Sequence, residues 1–405
     1  MGVPYESAHS PQAPSPLIPD DLSEVFDSHE AKCKLWSSLE SWFMTRGYFL
    51  YPRDPHLTNM PSTTTVHDLS SAPVHFPYAY VIDATPKGRV FTSQMHIFPA
   101  VNEQHRDVII KLLRNDSPEY NVYKHITAED IRSGDSNTIV PVLDLLNLDD
   151  MYSFVVMPRW GSAAGLHRTG FDCLRTVFDF SLSILKALAF LHSNLVAYRD
   201  IKIHNILVNL YNGDAVYDDC REFYASQKAR FVLCDFDLSV IFPPDTPPAA
   251  RVCPASESDW GSYRYHPPDA ADGQTVYDPF AYDVACLGGL LCELIGHLTP
   301  LVPMFAPFLD RMITPNIVSR YTALEALEAL ERLKASLDPE YLNTPASPPP
   351  QPPSYVWQAY DRWADLPEDF VREHTTPEGP VRPRRKELDD DWNSYFVDWN
   401  APSLN

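Results

Sequence analysis

The sequence is short of positive charge. Its 405 residues include 32 Lys and Arg but 54 Asp and Glu, so its formal net charge is −22 at pH 7. Nucleic acids and anionic membranes repel such a protein at long range. We therefore expect neither nucleic acid nor a membrane among its partners, whereas metal cations and basic peptides suit its charge.

Paired cysteines and long apolar runs are also missing. The seven cysteines are odd in number and none has Cys-x-x-Cys spacing, which argues against a disulfide framework and against a zinc site. The start MGVPYESAH has no apolar signal core, and no run of about 18 apolar residues occurs. These features predict an intracellular protein, cytoplasmic or nuclear, that is not secreted.

Apolar residues are plentiful enough for a large core, since 44% of the chain is hydrophobic and 12% is aromatic. Composition and periodicity divide the chain into an N-terminal extension with one amphipathic helix, a strand-rich part, a helix-rich part, and a Pro-rich linker with a Trp-containing tail. We place these regions at 1–75, 76–160, 161–340 and 341–405. A strand-rich part followed by a helix-rich part predicts two unlike lobes with a cleft between them.

Periodicity locates the main elements. Before residue 47, helical spacing joins Leu35, Trp36, Leu39, Trp42 and Phe43. A meander of three strands is predicted by the runs YAYVIDA, RVFTSQMHIF and DVIIKLL. The run SPEYNVYKHI then resumes helical spacing, YSFVVMP predicts a strand, and FDCLRTVFDFSLSILKALAFLHS predicts a long core helix.

The stretch YRDIKIHN, residues 198–205, places an acid, a lysine and an asparagine close together. Phosphoryl transfer needs such groups, because the protein positions the reactants and offsets their charge. Asp200 would accept a hydrogen bond from the attacking hydroxyl, Lys202 would neutralise the phosphoryl group, and Asn205 would offer an oxygen to Mg²⁺. Asp235, after an apolar run, is the candidate for a second carboxylate. Taken alone, the motif is equally consistent with a surface turn.

The order of the motifs resembles that of the eukaryotic protein kinase superfamily. YRDIKIHN is similar to the catalytic loop, with Tyr198 where the family usually has His, and DFD at 235–237 is similar to Asp-Phe-Gly, with Asp237 replacing Gly. Five further runs are similar to kinase motifs and follow in the family's order: VIIK, SPEYNVYKHI, GSYRYHPPD, YDVACLGGLL and SRYTALEAL. The resemblance covers about residues 76–337, and more narrowly the chain resembles predicted kinases of mushroom-forming fungi. It implies a two-lobed α+β fold, with a small antiparallel-sheet N-lobe carrying one regulatory helix and a larger helical C-lobe.

The resemblance also implies roles at the cleft, with ATP and Mg²⁺ as cofactors. The catalytic residues would be Asp200, Lys202 and Asn205. The metal ligands would be Asn205 and Asp235. The nucleotide-binding positions would be Lys111 with its helix partner Glu119, Gly88, Val156 and Met157.

GSYRYHPPD, residues 261–269, is similar to the end of the family's activation segment, and around it the resemblance implies contacts that hold the catalytic loop and the substrate site. Asp283 would anchor the loop, and Asp269 would pair with Arg320. Arg199 would grip a phosphorylated activation segment. Candidate phosphorylation sites are Thr246, Ser256 and Ser258.

The leading interpretation is a Ser/Thr protein kinase that acts on protein substrates. Lys202 lies two residues after the catalytic aspartate, and Ser262 stands where Ser/Thr kinases have a threonine. Two alternatives stay open. The run DATPKGRVF offers only Gly88 for a Gly-rich loop, which favours a pseudokinase scaffold. The Asp-x-Asp pattern also occurs in small-molecule phosphotransferases, although GSYRYHPPD argues against that class.

The C-terminal part suggests partner binding. The run TPASPPPQPPS, residues 344–354, predicts an extended, semi-rigid spacer that a Pro-binding domain could recognise. Exposing all the indoles of the tail would be unfavourable, so we expect them to dock back onto the chain rather than bind a partner. These tail tryptophans are Trp357, Trp363, Trp392 and Trp399.

Overall fold

The computed structural model describes residues 29–54, 60–61, 76–81, 96–128, 138–211, 223–261, 263–271, 273–350 and 360–375. Its α-helices are α1 (His29–Met44), α2 (Pro118–Ile126), α3 (Leu166–Thr169), α4 (Leu174–Ser193), α5 (Pro268–Ala271), α6 (Pro279–Ile295), α7 (Phe305–Ile313), α8 (Ala323–Ser336) and α9 (Glu368–His374). Short 3₁₀ helices lie at Ala163–Gly165, Ile203–Asn205, Pro248–Ala250, Ala255–Glu257, Tyr263–Tyr265, Gly296–Leu298 and Tyr341–Asn343.

The strands lie mostly in the first half of the chain. They are β1 (Tyr48–Leu50), β2 (Arg53–Asp54), β3 (Met60–Pro61), β4 (Tyr80–Val81), β5 (Ile97–Asn102), β6 (Asp107–Arg114), β7 (Asp144–Asn147), β8 (Tyr152–Pro158), β9 (Gly161–Ser162), β10 (Val196–Ala197), β11 (Ile206–Val208), β12 (Leu210–Tyr211), β13 (Phe231–Leu233), β14 (Val240–Ile241), β15 (Cys253–Pro254) and β16 (Val276–Tyr277). A sheet-based N-lobe is thus followed by a larger helical C-lobe, which confirms the two-lobed α+β fold expected from the sequence.

The N-lobe is built on a five-stranded antiparallel sheet in the order β1-β5-β6-β8-β7. In the centre of the sheet, Lys111 of β6 is paired with Ile97 of β5 and with Val155 of β8. Side chains alternate across a strand, so Lys111 and Val155 share one face while Ile110 and Val156 share the other. The face with Val155 packs with α2, and the face with Ile110 packs with α1.

Helix α1, which the helical spacing predicted, covers the outer face of this sheet. Trp36 and Phe43 are fully buried. Trp36 stacks on Phe98 with ring centroids 5.0 Å apart, and Phe43 meets the edge of Phe154 at 4.8 Å. Beyond the helix, Gly47 has φ +79°, a conformation that glycine adopts without steric cost, and the chain turns into β1. The segment before residue 76 therefore supplies both a cover and an edge strand of the sheet.

The predicted three-strand meander is only partly correct. Strands β5 and β6 pair antiparallel as expected. Strand β4, from the run YAYVIDA, instead pairs in parallel with β12 of the later chain, and β1 takes the place beside β5. Hydrophobic alternation identifies strands but does not specify partners, which tertiary packing decides here.

Helix α6 is the central helix of the C-lobe. Asp278 caps its start, and a Cβ on Gly288 would lie 2.7 Å from atoms of Met312 and Ile313, so this glycine allows α7 to approach closely. The helical span Pro279–Leu298 is long and apolar enough to cross a membrane, but 89% of its 18-residue apolar window is buried inside the protein. A buried core helix passes the same length and composition test, so this is weak evidence for a membrane span.

The start of the Pro-rich segment packs against the C-lobe. The carbonyl of Thr344 accepts a hydrogen bond from the amide of Leu174 at 3.0 Å, and the amide of Ala346 donates to the carbonyl of Asp172 at 3.2 Å. The first part of residues 344–354 is therefore docked on the C-lobe rather than held away from it, and the extended spacer stays a prediction for the rest. Residues 351–354 lie outside the described residues, and recognition by a Pro-binding domain stays a prediction.

One tail tryptophan docks on the C-lobe. Trp363 and Leu366 are buried and pack with Ala306 of α7. The indole Nε1 of Trp363 donates to Asp310 Oδ2 at 3.0 Å, and Arg362 forms an ion pair with the same carboxylate. This residue therefore docks back as expected. The other tail tryptophans, Trp357, Trp392 and Trp399, lie outside the described residues.

Replacing Trp363 by Ala should lower the free energy of unfolding. Loss of a buried Trp typically costs about 3 to 5 kcal/mol, and detachment of the segment limits the loss to what docking contributes. Urea unfolding followed by circular dichroism measures the change. Trp260→Ala is the matched control, because that indole is 63% exposed. Equal unfolding midpoints for the two variants would show that the docked segment does not stabilise the C-lobe.

Candidate active site

Asp283 of α6 holds the loop at residues 198–205, which resembles the kinase catalytic loop. Its carboxylate is fully buried and accepts the amides of Tyr198 at 2.7 Å and Arg199 at 2.6 Å. His192 Nε2 lies 3.0 Å from the same carboxylate. Arg199 has φ +68°, which is unfavourable for a residue with a Cβ. The hydrogen bonds that these two amides donate to Asp283 hold the loop in this conformation and so fix the position of the next residue, Asp200.

Asp200 is 1% exposed and lies at the centre of a small hydrogen-bonded group. Its Oδ2 accepts from Lys202 Nζ at 2.6 Å and from Asn205 Nδ2 at 2.6 Å. Its Oδ1 has no hydrogen-bond partner among the described residues. Burial raises the pKa of Asp200, while Lys202 and Asn205 act in the opposite direction. A raised pKa suits a group that receives a hydrogen bond or proton from a hydroxyl.

Lys111 joins the two lobes across the cleft. Its Nζ lies 2.6 Å from Glu119 Oε1 of α2 and 2.7 Å from Asp235 Oδ1, which follows β13. Burial by itself lowers the pKa of Lys111, but the two carboxylates outweigh it and raise that pKa. For the carboxylate of Asp235 the directions are reversed: burial raises its pKa, but the charge of Lys111 outweighs burial and lowers that pKa. Both groups are therefore charged at neutral pH.

Phe236 fixes the backbone next to Asp235. Its ring is fully buried and meets Tyr123 edge-on at 5.3 Å and Tyr198 edge-on at 5.8 Å. Its amide donates to Glu119 Oε1 at 3.4 Å. Tyr198, which stands in place of the usual His, also donates its hydroxyl to the carbonyl of Cys234. The tyrosine thus ties the catalytic loop to the strand end that carries Asp235.

Asp237 lies near the other acids of the cleft. Asp200, Asp235 and Asp237 each offer a carboxylate oxygen within 4.8 Å of the others. Burial raises the pKa of Asp237, and the charge of Asp235 raises it further. Asp235 has φ +66°, whereas Asp237 does not have a positive φ. In this arrangement, the residue that replaces glycine is therefore not strained by its Cβ.

The two faces of β8 separate the residues expected to contact a nucleotide. Met157 lies two positions from Val155, so it shares the face of Lys111, and its sulfur lies 3.5 Å from the hydroxyl of Tyr123. Val156 is buried on the opposite face, against α1. The prediction for Val156 is therefore wrong for its side chain, because the alternation of the strand points it away from the cleft. Gly88 lies outside the described residues.

The end of the activation segment is fixed by Asp269 and Arg320, the pair expected from the sequence. Arg320 donates from both Nη1 and Nη2 to the two oxygens of Asp269, with the Nη1 bond at 3.2 Å. It also donates to the carbonyl of Thr314 at 2.9 Å and to that of Ala281 at 3.0 Å. Ser262 lies outside the described residues.

Arg199 has a partner that the sequence did not reveal. Its Nη2 lies 2.7 Å from Glu257 Oε2, and its Nε donates to the hydroxyl of Tyr277 at 2.8 Å. Ser258, a candidate phosphorylation site, is buried, and its hydroxyl contacts His266 Nε2 at 2.8 Å. Arg199 therefore contacts the carboxylate of Glu257 where a phosphate was expected, a contact that no sequence motif indicated.

The comparisons with known proteins agree with this geometry. A family model described as protein kinase domain matches residues 96–304, which is just over half of the chain. No curated protein matches the chain significantly. The matched span begins just before β5, ends just before α7, and contains Lys111, Glu119, Asp200, Asn205 and Asp235. The chain therefore belongs to the protein kinase family.

Proposed function

We propose that the protein transfers the γ-phosphoryl group of ATP, with Mg²⁺, to Ser or Thr hydroxyls of protein substrates. The observation that carries the proposal is the ion-paired group of Lys111, Glu119 and Asp235, which spans the cleft beside Asp200. In this group, Lys111 is a cation that can bind phosphate, and Asp235 offers an oxygen to a metal. Both lie beside Asp200, which can accept a hydrogen bond from a hydroxyl.

The residues of the cleft fit both cofactors. The buried oxygen Oδ1 of Asp200 lacks a partner among the described residues, and the carboxylates of Asp200, Asp235 and Asp237 converge on one gap. Magnesium prefers such oxygen ligands. When bound, ATP supplies the phosphoryl group and Mg²⁺ offsets the charge of its phosphates. Asn205 and Asp235 would hold the metal.

The chain's own residues would position and neutralise the reacting groups. Lys111, charged and held between two carboxylates, would bind phosphate oxygens. Asp200 would orient the acceptor hydroxyl and take its proton, because its carboxylate is fixed by two hydrogen bonds on one oxygen only. The side chain of Lys202 is 44% exposed, so its ammonium can reach a phosphoryl group while it remains near Asp200.

The choice of Ser and Thr as acceptors is supported by the local arrangement of the catalytic loop. Lys202 contacts Asp200 directly, which suits transfer to a short hydroxyl side chain close to the loop. A pseudokinase is the second candidate, and one sequence observation favours it. The run DATPKGRVF offers a single glycine, Gly88, where backbone amides would need to wrap the phosphates closely.

Labelled ATP, Mg²⁺ and a mixed peptide library test the proposal directly. We expect label on peptides, and acid hydrolysis followed by separation of phosphoamino acids should place it on Ser and Thr. Label on Tyr alone would contradict the acceptor class. If no peptide carries label but calorimetry shows that the protein binds ATP, the result would favour the pseudokinase. Label transferred to choline or an aminoglycoside, but not to peptides, would favour the small-molecule alternative.

Treatment of the purified protein with a phosphatase should leave its transfer rate unchanged. Glu257 already supplies Arg199 with a negatively charged partner, so no phosphate is needed to hold the segment. Replacing Glu257 by Gln keeps the shape and removes the charge, which should lower the rate on the order of tenfold. Glu340→Gln, at an exposed position away from the cleft, is the control. A rate that collapses after phosphatase treatment would contradict this expectation.

A further inference from the structure

Asp237 occupies a position that the expected metal site does not use. We propose that Asp237 is a ligand of the divalent cation, so that this chain holds the metal with Asp235 and Asp237 together, with Asp200 closing the site. The inference deepens the proposed function and rests on it, because it is there that the metal is needed to offset the charge of the phosphates of ATP.

The spacing of the acids suits one cation. The three carboxylates of Asp200, Asp235 and Asp237 each bring an oxygen within 4.8 Å of the other two. Magnesium binds oxygen at about 2.0 to 2.1 Å in octahedral geometry, so two ligands on opposite sides lie about 4 Å apart. Displacements of the carboxylate oxygens by less than about 1 Å would therefore bring all three within binding distance of one ion.

Oδ1 of Asp200 is an unpartnered oxygen that is available to a group from outside the chain. Asp200 is 1% exposed, and its Oδ1 has no hydrogen-bond partner in the part of the chain that the structure describes. A buried oxygen of this kind is costly unless a ligand satisfies it. Its other oxygen already accepts from Lys202 and Asn205. Asp200 therefore supplies an independent reason to place a cation or a donor at this gap.

The charges of the cleft leave a deficit that matches a divalent ion. Four carboxylates, those of Glu119, Asp200, Asp235 and Asp237, face two ammonium groups. These are Lys111, between Glu119 and Asp235, and Lys202, beside Asp200. The surplus of two negative charges equals the charge of one Mg²⁺ or Mn²⁺ ion.

The backbone holds Asp237 in reach of the gap. Phe236 is fully buried between Tyr123 and Tyr198, so the residues on either side of it have little freedom to move apart. Asp235 takes a positive φ and Asp237 does not. The pair therefore flanks a fixed aromatic anchor, and neither carboxylate needs a strained backbone at position 237 to face the other.

Binding of Mn²⁺ without nucleotide tests the inference. Mn²⁺ takes the same carboxylate ligands as Mg²⁺, and its free form is counted by electron paramagnetic resonance. We expect the wild-type protein to bind one ion, Asp237→Asn to bind it on the order of tenfold more weakly or worse, and Asp237→Glu to retain most of the affinity. Asp237 is exposed, so these variants should unfold at the wild-type temperature, which a melting curve verifies.

Asp116→Asn is the matched control, because Asp116 is an exposed aspartate that pairs with Arg114 and does not belong to the cluster of three acids. It should bind Mn²⁺ like wild type. Equal Mn²⁺ affinity in Asp237→Asn and wild type, or no binding by wild type, would overturn the inference. Phosphoryl transfer to peptides is measured separately, so a protein that binds Mn²⁺ through Asp237 but transfers no phosphate would refute the proposed function alone.

Discussion

Replacing Asp200 by Asn is expected to lower phosphoryl transfer by about 100- to 10,000-fold, the range typical for loss of a positioned general base. The substitution keeps the size of the side chain and an oxygen that can accept from Lys202 and Asn205, which now share the Asp200 Oδ2. It removes the charge that, in the proposed function, would receive the proton of the acceptor hydroxyl. Steady-state transfer of label to a selected peptide gives the rate.

The control for this variant is Asp245→Asn, an exposed acid in the activation segment. It should transfer phosphate at the wild-type rate. ATP binding by Asp200→Asn, measured by calorimetry without added Mg²⁺, should stay close to that of wild type, because Asp200 would act on the acceptor hydroxyl and the metal rather than on the nucleotide. A variant with the wild-type transfer rate would exclude Asp200 as the catalytic base.

Lys111→Met is a less clean test than the sequence suggests. Lys111 is buried and paired with both Glu119 and Asp235, so removing the ammonium leaves two neighbouring carboxylates without their cation. Breaking a buried pair from one side is strongly destabilising. Loss of activity in this variant would therefore combine a weakened nucleotide site with a weakened junction of the two lobes.

Motif order was sufficient to bring the central contacts together. The expected neighbours Lys111 and Glu119 touch, and so do Asp269 and Arg320. Asp283 accepts the amides at the start of the catalytic loop. Each of these contacts joins a charged group to a counterpart in another motif, and the order of the motifs along the chain resembles that of the kinases, so the sequence alone indicates them.

Features that depend on pairing partners were not predictable. Strand β1 is three residues long and pairs with β5 about fifty residues later, so no local pattern announces it. The face of Val156 depends on the register of β8 against β6, which the sequence does not state. Glu257 becomes the partner of Arg199 only because the activation segment folds back over the catalytic loop. Such choices are made by tertiary packing.

Replacing Asp269 by Ala should destabilise the protein by roughly 3 to 5 kcal/mol, the usual cost of breaking a buried ion pair from one side. The side chain of Arg320 is 1% exposed, and without Asp269 it would keep only the carbonyls of Thr314 and Ala281 as acceptors. A guanidinium buried with neutral acceptors alone is unfavourable. Asp269→Glu should cost much less, because it keeps the charge and can move within reach of Arg320.

A double-mutant cycle with Arg320→Met separates the pair from its surroundings. Urea unfolding of the single and double variants should give a large coupling energy, because the double variant no longer contains an unpaired buried charge. The pair Arg114 and Asp116 is the matched control, since both side chains are exposed and lie 2.9 Å apart. Its cycle should show little coupling. If the cycle of Asp269 and Arg320 is as weak as that control, the buried pair does not tie the activation segment to the C-lobe.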